Sequence, residues 1–373
     1  MKNDKYIWTL DELVTANKVK LGRGNIISKR DIANDPGEFP IYSSAREKNG
    51  TFGHYGKYMF DEELITWSID GGGRLFYRPR HKFSVTNVGG TLRILDSDFL
   101  DCRYLHLVLT HLHSKISFDW VYKAHPSVIR MVYNEIPIPS LLEQREIVTK
   151  LDNAFTEIDK MRVNIYEQIE ANLSLLSHSI RNLINDPDVE CRNTTLDNIC
   201  VNLDNKRIPI TRDVRASGEY PYYGASGIID YVEDYIFEGD ALLVSEDGAN
   251  LLARSTPIAF SVSGKYWVNN HAHILKFVDK ELQKYVEYLL ENTRLDDFIT
   301  GAAQPKLTQR ALNTIPIRIP VDEGDIKQVV AVISSLKDLG SSMSDNLKLR
   351  LKLTDELQAS LLGKYFTVEE AVA

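Results

Sequence analysis

The chain has 373 residues, of which 43% are hydrophobic and 26% are charged, and these are the proportions of a globular, water-soluble protein. This length exceeds one ordinary hydrophobic core, so two or more domains are expected. No apolar run reaches the ~18–20 residues that span a bilayer, and no signal-peptide apolar region is recognisable near the first residue. We therefore expect a cytoplasmic protein without a membrane partner.

The net charge is −8, which by itself disfavours nucleic acid as a partner. The acidic residues are unevenly distributed, however, because residues 1–139 hold 19 Lys and Arg against 16 Asp and Glu, whereas residues 140–190 hold five against ten. A DNA-binding surface needs only a local basic patch, so the overall acidity does not exclude one. Cys102, Cys191 and Cys200 are too few for a disulfide scaffold and fit no zinc pattern, so we expect three inert thiols.

The first half of the chain predicts an α/β domain followed by one long helix. Within residues 1–139, short β-branched and aromatic runs such as residues 64–69 predict strands. Residues 140–185 then carry apolar side chains every three or four positions, which is typical of a coiled-coil helix. Its apolar stripe includes Ile147, Leu151, Ile158 and Ile165. At 1.5 Å per residue, residues 141–184 would be roughly 65 Å long.

The second half repeats this order. After a polar connection that contains Pro187, residues 186–320 predict a second α/β domain and residues 321–373 a second long helix. The stripe of this helix includes Val329, Ile333, Met343 and Leu347. Residues 303–317 match residues 124–138 without a gap, sharing Ala, Pro, Asn and Ile-Pro-Ile at the same places. We infer a unit of about 180 residues that occurs twice, with two long helices that pair antiparallel and with approximate two-fold symmetry. The end of the second helix should then return to the first domain.

No catalytic constellation is recognisable. The sequence lacks a nucleotide-binding GxxxxGK(S/T) loop, the Asn/Asp-Pro-Pro-aromatic tetrapeptide of DNA methyltransferases and the carboxylate–lysine pattern of nucleases. His271 and His273 are two residues apart in a predicted strand, but no carboxylate or cysteine at a suitable spacing accompanies them. We expect a chain without catalytic residues, without a bound cofactor and without a metal site.

Several segments resemble the specificity subunits of type I restriction–modification systems. They are residues 220–231 (Tyr-Pro-Tyr-Tyr-Gly-Ala-Ser-Gly-Ile-Ile-Asp-Tyr), 245–250 (Ser-Glu-Asp-Gly-Ala-Asn), 267–275 (Trp-Val-Asn-Asn-His-Ala-His-Ile-Leu) and the junction of 136–139 with 143–148. The resemblance covers essentially the whole chain, with three departures. The second junction, residues 315–320, has two extra residues. In the first domain Asn87-Val88-Gly89-Gly90 replaces the Asn-Asn-His-Ala pattern, and Glu323-Gly324 stands where Glu-Gln is expected.

The resemblance implies two α/β target-recognition domains that each read one half of a bipartite double-stranded DNA sequence. It also implies that the two helices set the spacer between the halves and dock two adenine-methyltransferase subunits, which restriction and translocase subunits then join. S-adenosylmethionine, ATP and Mg²⁺ would belong to those partners. This chain would be a non-catalytic subunit that acts in DNA methylation and phage defence.

Candidate DNA contacts follow from local charge and from the loops of the resemblance. Residues 71–95 contain no acidic residue, and arginine on strands or loops contacts phosphates and forks onto guanine. The candidates in the first domain are Arg74, Arg78, Arg80 and Lys82. Those in the second domain are Lys206 and Arg207 together with Tyr223, Ser226, Asn250 and His271. An ordinary solvated strand pair, structural turns and core packing of His271 are the alternatives.

Three other functions are compatible with the sequence. A fused single-chain modification enzyme is disfavoured because the methyltransferase motifs are missing. A scaffold that does not bind DNA is slightly favoured by the acidic net charge. The specificity subunit of a related modification-only or phage-defence system cannot be separated from the main interpretation by sequence.

Overall fold

The computed structural model describes residues 6–44, 48–70, 72–116, 123–301 and 303–367. The chain divides into two units: unit 1 comprises residues 1–165 and 349–373, and unit 2 comprises residues 166–348. The sequence-based division treats each long helix as a segment of its own. The contacts instead assign a part of each helix to each unit.

Unit 1 contains one large sheet and several short helices. Its strands are β1 (Ile7–Trp8), β2 (Val19–Arg23), β3 (Phe39–Tyr42), β4 (Thr51–Tyr55), β5 (Phe60–Ser68), β6 (Leu75–Val85), β7 (Gly89–Ile94) and β8 (Ile136–Pro137). Its helices are α1 (Leu10–Thr15), α2 (Lys29–Asn34), α3 (Cys102–His113), α4 (Pro126–Val132) and the first part of α5 (Leu141–Ile184). The order in the six-stranded sheet is β2-β7-β5-β6-β3-β4, and β1 pairs with β8.

Local capping signals set the starts of the helices of unit 1. At α1 the Glu12 amide donates to Thr9 Oγ1 at 3.1 Å while the Thr9 amide donates to the Glu12 carboxylate at 2.9 Å, which is a capping box. At α3 the Tyr104 amide donates to the Asp101 carboxylate at 2.8 Å. The apolar faces of these helices pack against the sheet. The buried core includes Trp8, Leu13, Ile65, Trp67, Leu92, Leu105, Leu109, Ile136 and Leu151, together with Leu362 and Phe366 from the second long helix.

Unit 2 is built from shorter strands. These are β9 (Cys191–Thr195), β10 (Val201–Asn202), β11 (Ser217–Gly224), β12 (Gly227–Val232), β13 (Phe237–Glu238), β14 (Ala241–Ser245), β15 (Ala259–Val262), β16 (Lys265–Val268), β17 (Ala272–Lys276), β18 (Ile299–Thr300), β19 (Lys306–Leu307) and β20 (Pro316–Pro320). The helices are α6 (Asn250–Ala253), α7 (Lys280–Asn292), α8 (Gln309–Asn313) and the first part of α9 (Glu323–Phe366). The two main sheets have the orders β10-β17-β14-β15 and β12-β11-β16-β13, and β9 pairs with β20 and β18 with β19.

The two units repeat one strand arrangement, which confirms the internal repeat at the level of backbone pairing. In unit 1, β3 runs parallel to the end of β6, and the Thr86 amide donates to the Tyr42 carbonyl oxygen at 2.9 Å. In unit 2, β11 runs parallel to β16, and the Asn269 amide donates to the Tyr223 carbonyl oxygen at 3.0 Å. The other pairings of these strands are antiparallel. Each unit is therefore a mixed α/β domain of the predicted class.

Each long helix has 44 residues and buries a row of side chains seven residues apart, which is the heptad spacing of a coiled coil. The row in α5 is Gln144, Leu151, Ile158 and Ile165, and the row in α9 is Ile333, Gly340, Leu347 and Thr354, of which Gly340 is half-buried. In unit 1, Leu151 shares a core with Leu362, while Arg162, further along α5, donates to Thr354 Oγ1 at 3.1 Å. Residues later in α5 contact residues earlier in α9, so the two helices pair antiparallel. Within the described ranges, no helix combines the length and apolar content that crossing a membrane requires.

Candidate nucleic-acid interface

In unit 2, three chain segments meet at the ends of neighbouring strands. They are residues 223–227 between β11 and β12, residues 245–250 after β14, and residues 269–271 between β16 and β17. The Asn269 amide donates to the Tyr223 carbonyl oxygen at 3.0 Å, and the Glu246 amide donates to the His271 carbonyl oxygen at 2.9 Å. We call these three segments the strand-end site of unit 2.

Unit 1 has an equivalent set of segments, which we call the strand-end site of unit 1. They are residues 42–44, 68–70 and 86–88. Ser44 Oγ donates to the Val88 carbonyl oxygen at 2.5 Å, and the Ile69 amide donates to the same oxygen at 3.0 Å. The bond from Ile69 to Val88 matches the bond from Glu246 to His271 in unit 2. One backbone frame therefore presents different side chains at these two positions of the two units.

The predicted loop contacts of unit 2 come together in its strand-end site, which contains Tyr223, Ser226, Asn250 and His271. Ser226 is exposed at the turn before Gly227, whose φ of +121° favours glycine. The His271 side chain is 48% exposed, and its Nδ1 lies 2.9 Å from the Asp247 carboxylate. Sequence reasoning did not single out Asp247, although it lies inside a segment of the resemblance.

Tyr223 and Asn250 have structural partners within the same site. The Tyr223 ring packs edge-on against Tyr266 with centroids 6.0 Å apart, and partial burial raises the pKa of its hydroxyl. The Asn250 side chain accepts from the Thr256 amide at 3.0 Å and donates to the Thr256 carbonyl oxygen at 2.9 Å, so it closes its own loop. DNA contact by these two residues stays a prediction.

The two basic candidates of unit 2 lie in different environments. Lys206 is exposed. Arg207 is only 13% exposed, and its Nη1 donates to the Glu246 carboxylate at 2.7 Å and to the Ala272 carbonyl oxygen at 2.8 Å. Its guanidinium therefore lies in the interior of unit 2, where the half-buried Glu246 carboxylate needs a cation. We correct the prediction for Arg207, which acts in the structure of unit 2 rather than on its surface.

Three of the four basic candidates of unit 1 are on the surface. Arg74 is exposed. The Arg80 side chain is 77% exposed, with Nε 3.8 Å from the Asp61 carboxylate. Lys82 is exposed with its Nζ 4.8 Å from the ring centroid of Tyr58. All three can reach a phosphate without breaking a strong ion pair.

Arg78 lies in the core instead, with 1% of its surface exposed. Its Nε donates to Thr66 Oγ1 at 3.0 Å, and burial lowers the pKa of its guanidinium to about 10. The pairing of β5 with β6 shifts register between residues 78 and 81, so the alternation along β6 is interrupted there. Arg78 lies before the shift and is covered by Tyr42 of β3, whereas Arg80 and Lys82 are exposed. We correct the prediction that Arg78 is available to DNA in this conformation.

The structure adds two exposed cations that sequence reasoning did not single out. Lys29 and Arg30 lie on α2, which packs beside β4, with Ile32 of α2 near Gly53 of that strand. Asp31 and Asp35 lie in the same short segment and make its net charge small. A charge count along the chain therefore gave no signal for Lys29 and Arg30.

A buried ionic cluster lies behind the strand-end site of unit 2. It contains Asp204, Glu246 and His273, whose donor atoms are close enough together to hold a metal ion. Arg207 and Lys306 already neutralise these carboxylates, at 2.7 Å and 3.1 Å from Glu246. Cationic side chains therefore satisfy the donor set, and the expectation of a chain without a metal site stays a prediction.

The predicted helix-seam residues differ in burial. Leu151, Ile158, Ile165, Val329, Ile333 and Leu347 are buried, and Ile147 is half-buried. Met343 is 41% exposed, four residues before Leu347, and we correct its assignment to the seam. The apolar stripe is broader than the buried row, so apolar character alone does not identify the side chains that face the partner helix.

Comparison with known proteins identifies the family. The family described as type I restriction modification DNA specificity domain matches the chain twice, over residues 7–171 and 189–351. A relative from Haemophilus influenzae, provisionally named as a type I restriction enzyme specificity subunit, is 39% identical over 125 residues, which are 34% of this chain and 32% of the relative. The type I restriction enzyme MpnII specificity subunit of Mycoplasma pneumoniae is 29% identical over 157 residues, which are 42% of this chain and 46% of that protein.

The chain thus matches less than half the length of these two relatives. A solved structure from work on complex assembly and conformational transition of the type I R-M system covers 94% of this chain and 97% of its own, with a TM-score of 0.70 at 12% identity. At that identity the likeness concerns the fold. Because the family matches extend over most of both halves, the chain belongs to the type I restriction–modification DNA specificity family.

Proposed function

We propose that this chain is the DNA-reading specificity subunit of a type I restriction–modification complex and that it is not itself an enzyme. The observation that carries the proposal is the strand-end site, which one backbone frame forms in both units with side chains that differ at several of its positions. Two DNA-reading domains that share one backbone arrangement but differ in contact side chains suit a DNA target with two unlike halves. Exposed Arg74, Arg80 and Lys82 in unit 1 and Lys206 in unit 2 would supply phosphate contacts.

The partners follow from the same proposal. Two adenine-methyltransferase subunits would dock on the helices, one for each copy of the repeat, because a repeated surface offers two equivalent positions. Restriction and translocase subunits would join this core. The S-adenosylmethionine, ATP and Mg²⁺ would be bound by those partners, and the complex would act in the cytoplasm.

The experiment is to co-express the chain with its methyltransferase subunit, measure the mass of the purified complex and map the adenines that it methylates. We expect two methyltransferase subunits per chain and a bipartite motif with a fixed spacer. The chain alone should transfer no methyl group. A strict one-to-one assembly, or methylation without a bipartite motif, would contradict the proposal. Failure to bind any duplex in the presence of the methyltransferase would favour the scaffold interpretation.

A further inference from the structure

His273 is fully buried in unit 2, and both of its ring nitrogens face hydrogen-bond acceptors. Nδ1 lies 2.5 Å from the Asp204 carboxylate and Nε2 lies 2.7 Å from the Leu307 carbonyl oxygen. A neutral imidazole has one N–H and can satisfy only one of these acceptors. With the carboxylate ionised, both contacts are hydrogen bonds only when the ring carries two protons.

Two carboxylates, Asp204 and Glu246, and two cations, Arg207 and Lys306, accompany His273 in this cluster. Asp204 also accepts from the Ile274 amide at 2.9 Å. Burial alone would raise the pKa of Asp204, but the hydrogen bond and charge of His273 hold it below its usual value. Glu246 lies 3.7 Å from the His273 ring nitrogen, and Arg207 contacts both carboxylates. The cluster is therefore a packed ionic network rather than an isolated pair.

This network connects directly to the strand-end site of unit 2. The Leu307 amide donates to the Glu246 carbonyl oxygen at 2.8 Å, and the Gly248 amide donates to the Pro305 carbonyl oxygen at 3.0 Å. By holding the Leu307 carbonyl group, His273 fixes residues 305–307. Those residues in turn hold the loop at residues 246–250, where Asp247 meets His271 and where Asn250 lies.

Unit 1 makes the equivalent hydrogen bond with a different side chain. In the hydrogen-bond pattern Ala124 takes the place of Leu307, although the ungapped sequence match aligns it with Ala303. The Ala124 amide donates to the Ile69 carbonyl oxygen at 2.9 Å, and Trp67 Nε1 donates to the Ala124 carbonyl oxygen at 2.7 Å. Trp67 pairs across the sheet with Gly90, just as Val244 pairs with His273. A side chain at Gly90 would overlap the indole of Trp67. Gly90 therefore stands at the position of His273, and Trp67 supplies the donor in unit 1 instead.

We propose that His273 is a buried imidazolium and a positioning residue: held by Asp204, it donates to the Leu307 carbonyl group and so sets the loop at residues 246–250 for reading one half of the DNA. This inference rests on the proposed function for its DNA part. Trp67 has the same positioning role in unit 1 without a titratable group.

The protonation state is tested without DNA, on the full chain with nitrogen-labelled histidine. We expect the His273 resonances, assigned by their loss in His273→Leu, to show two protonated ring nitrogens at neutral pH. A neutral tautomer with one unprotonated nitrogen would overturn the imidazolium. This measurement stands whether or not the chain binds DNA.

The positioning role is tested in the assembled methyltransferase complex with duplexes altered in one half of the mapped motif. His273→Leu should lose about tenfold in discrimination at one half only, because a buried acceptor is left without its donor. Trp67→Phe is the matched control in unit 1 and should affect the other half. A folded His273→Leu variant with normal discrimination at both halves would contradict the role.

A second pair of variants compares two proteins that share the loss of His273 and differ only in the donor at residue 244. Val244→Trp with His273→Gly transplants the arrangement of unit 1 and should retain discrimination, whereas Val244→Phe with His273→Gly lacks the indole N–H and should lose it. Equal discrimination by the two would overturn the positioning role. If the wild-type complex discriminates at neither half, the proposed function fails, and the nitrogen spectrum still decides the state of His273.

Discussion

The guanidinium carbon of Arg78 lies 3.5 Å from the ring centroid of Tyr42, inside unit 1. Two of the three guanidinium nitrogens, Nη1 and Nη2, are buried without a hydrogen-bond partner. The contact with the aromatic face offsets part of the cost of burying a cation, but it leaves these donors unsatisfied. Arg78 therefore contributes less to the stability of unit 1 than its complete burial suggests.

Arg78→Met should leave the free energy of unfolding unchanged or raise it by up to about 2 kcal/mol, because an apolar chain of similar length removes a buried charge. Denaturant unfolding of the full chain measures this. The salt dependence of DNA binding by the complex should not change. The surface control is the double variant Arg80→Ala with Lys82→Ala. It should flatten the slope of log binding constant against log salt concentration by about one for each phosphate that these side chains neutralise in the wild type. A flatter slope for Arg78→Met alone would show that its guanidinium does reach DNA.

Gly90→Ala should destabilise unit 1 by about 2 kcal/mol or more, because the added methyl group would overlap the Trp67 ring. Gly53→Ala is the matched control on β4, where the nearest atom to an added Cβ is Ile32 Cδ1 at 3.6 Å. That substitution should be nearly neutral. Thermal or denaturant unfolding compares the two variants. Equal stability would mean that Trp67 moves aside without cost, and its indole would then not be a fixed donor to Ala124.

The long helices and the repeat were predictable because heptad spacing and repeated segments are local properties of the sequence. The members Gly340 and Thr354 of the buried row were not, because neither is a large apolar residue. Arg78 was predicted to contact DNA because residues 71–95 contain no acidic residue, and such a local count does not show that Tyr42, 36 residues earlier, covers its side chain. The pairing of His273 with Asp204 joins residues 69 apart, and only the fold brings them together.

Asp204→Asn should destabilise unit 2 at neutral pH, and the difference from wild type should shrink under acid conditions. The pKa of Asp204 is lowered in the folded chain, so its stabilising effect is complete above the pKa of an unfolded aspartate, about 3.9. It is lost as the pH falls through the lower pKa of the folded state. Unfolding curves from neutral pH to below about pH 4 measure the difference. Asp296→Asn, which removes an exposed partner of Arg294, should show little effect at any pH.

The two long helices should act as a ruler between the two readers. Each long helix buries residues at heptad spacing, so equal insertions of seven residues in both helices keep each buried row on one face of its helix. Suitable places are between Ile165 and Tyr166 and between Lys348 and Leu349, where the division into units crosses both helices. The end of α5 is less suitable, because Ile180 and Ile184 belong to the core of unit 2.

Seven residues lengthen a helix by about 10 Å, and base pairs rise about 3.4 Å each, so the spacer of the methylated motif should grow by about three base pairs. Both half-sites should stay the same, because neither strand-end site changes. The control is the insertion in α5 alone, which lengthens one helix without the other and should destabilise the pair and abolish methylation. Methylation mapping before and after the paired insertion is the measurement. Retained activity with the original spacer would mean that the helices connect the two recognition domains without setting their separation. Bending DNA over so short a site costs only a few kcal/mol, so bending could compensate for a flexible connection but not for a rigid helix pair.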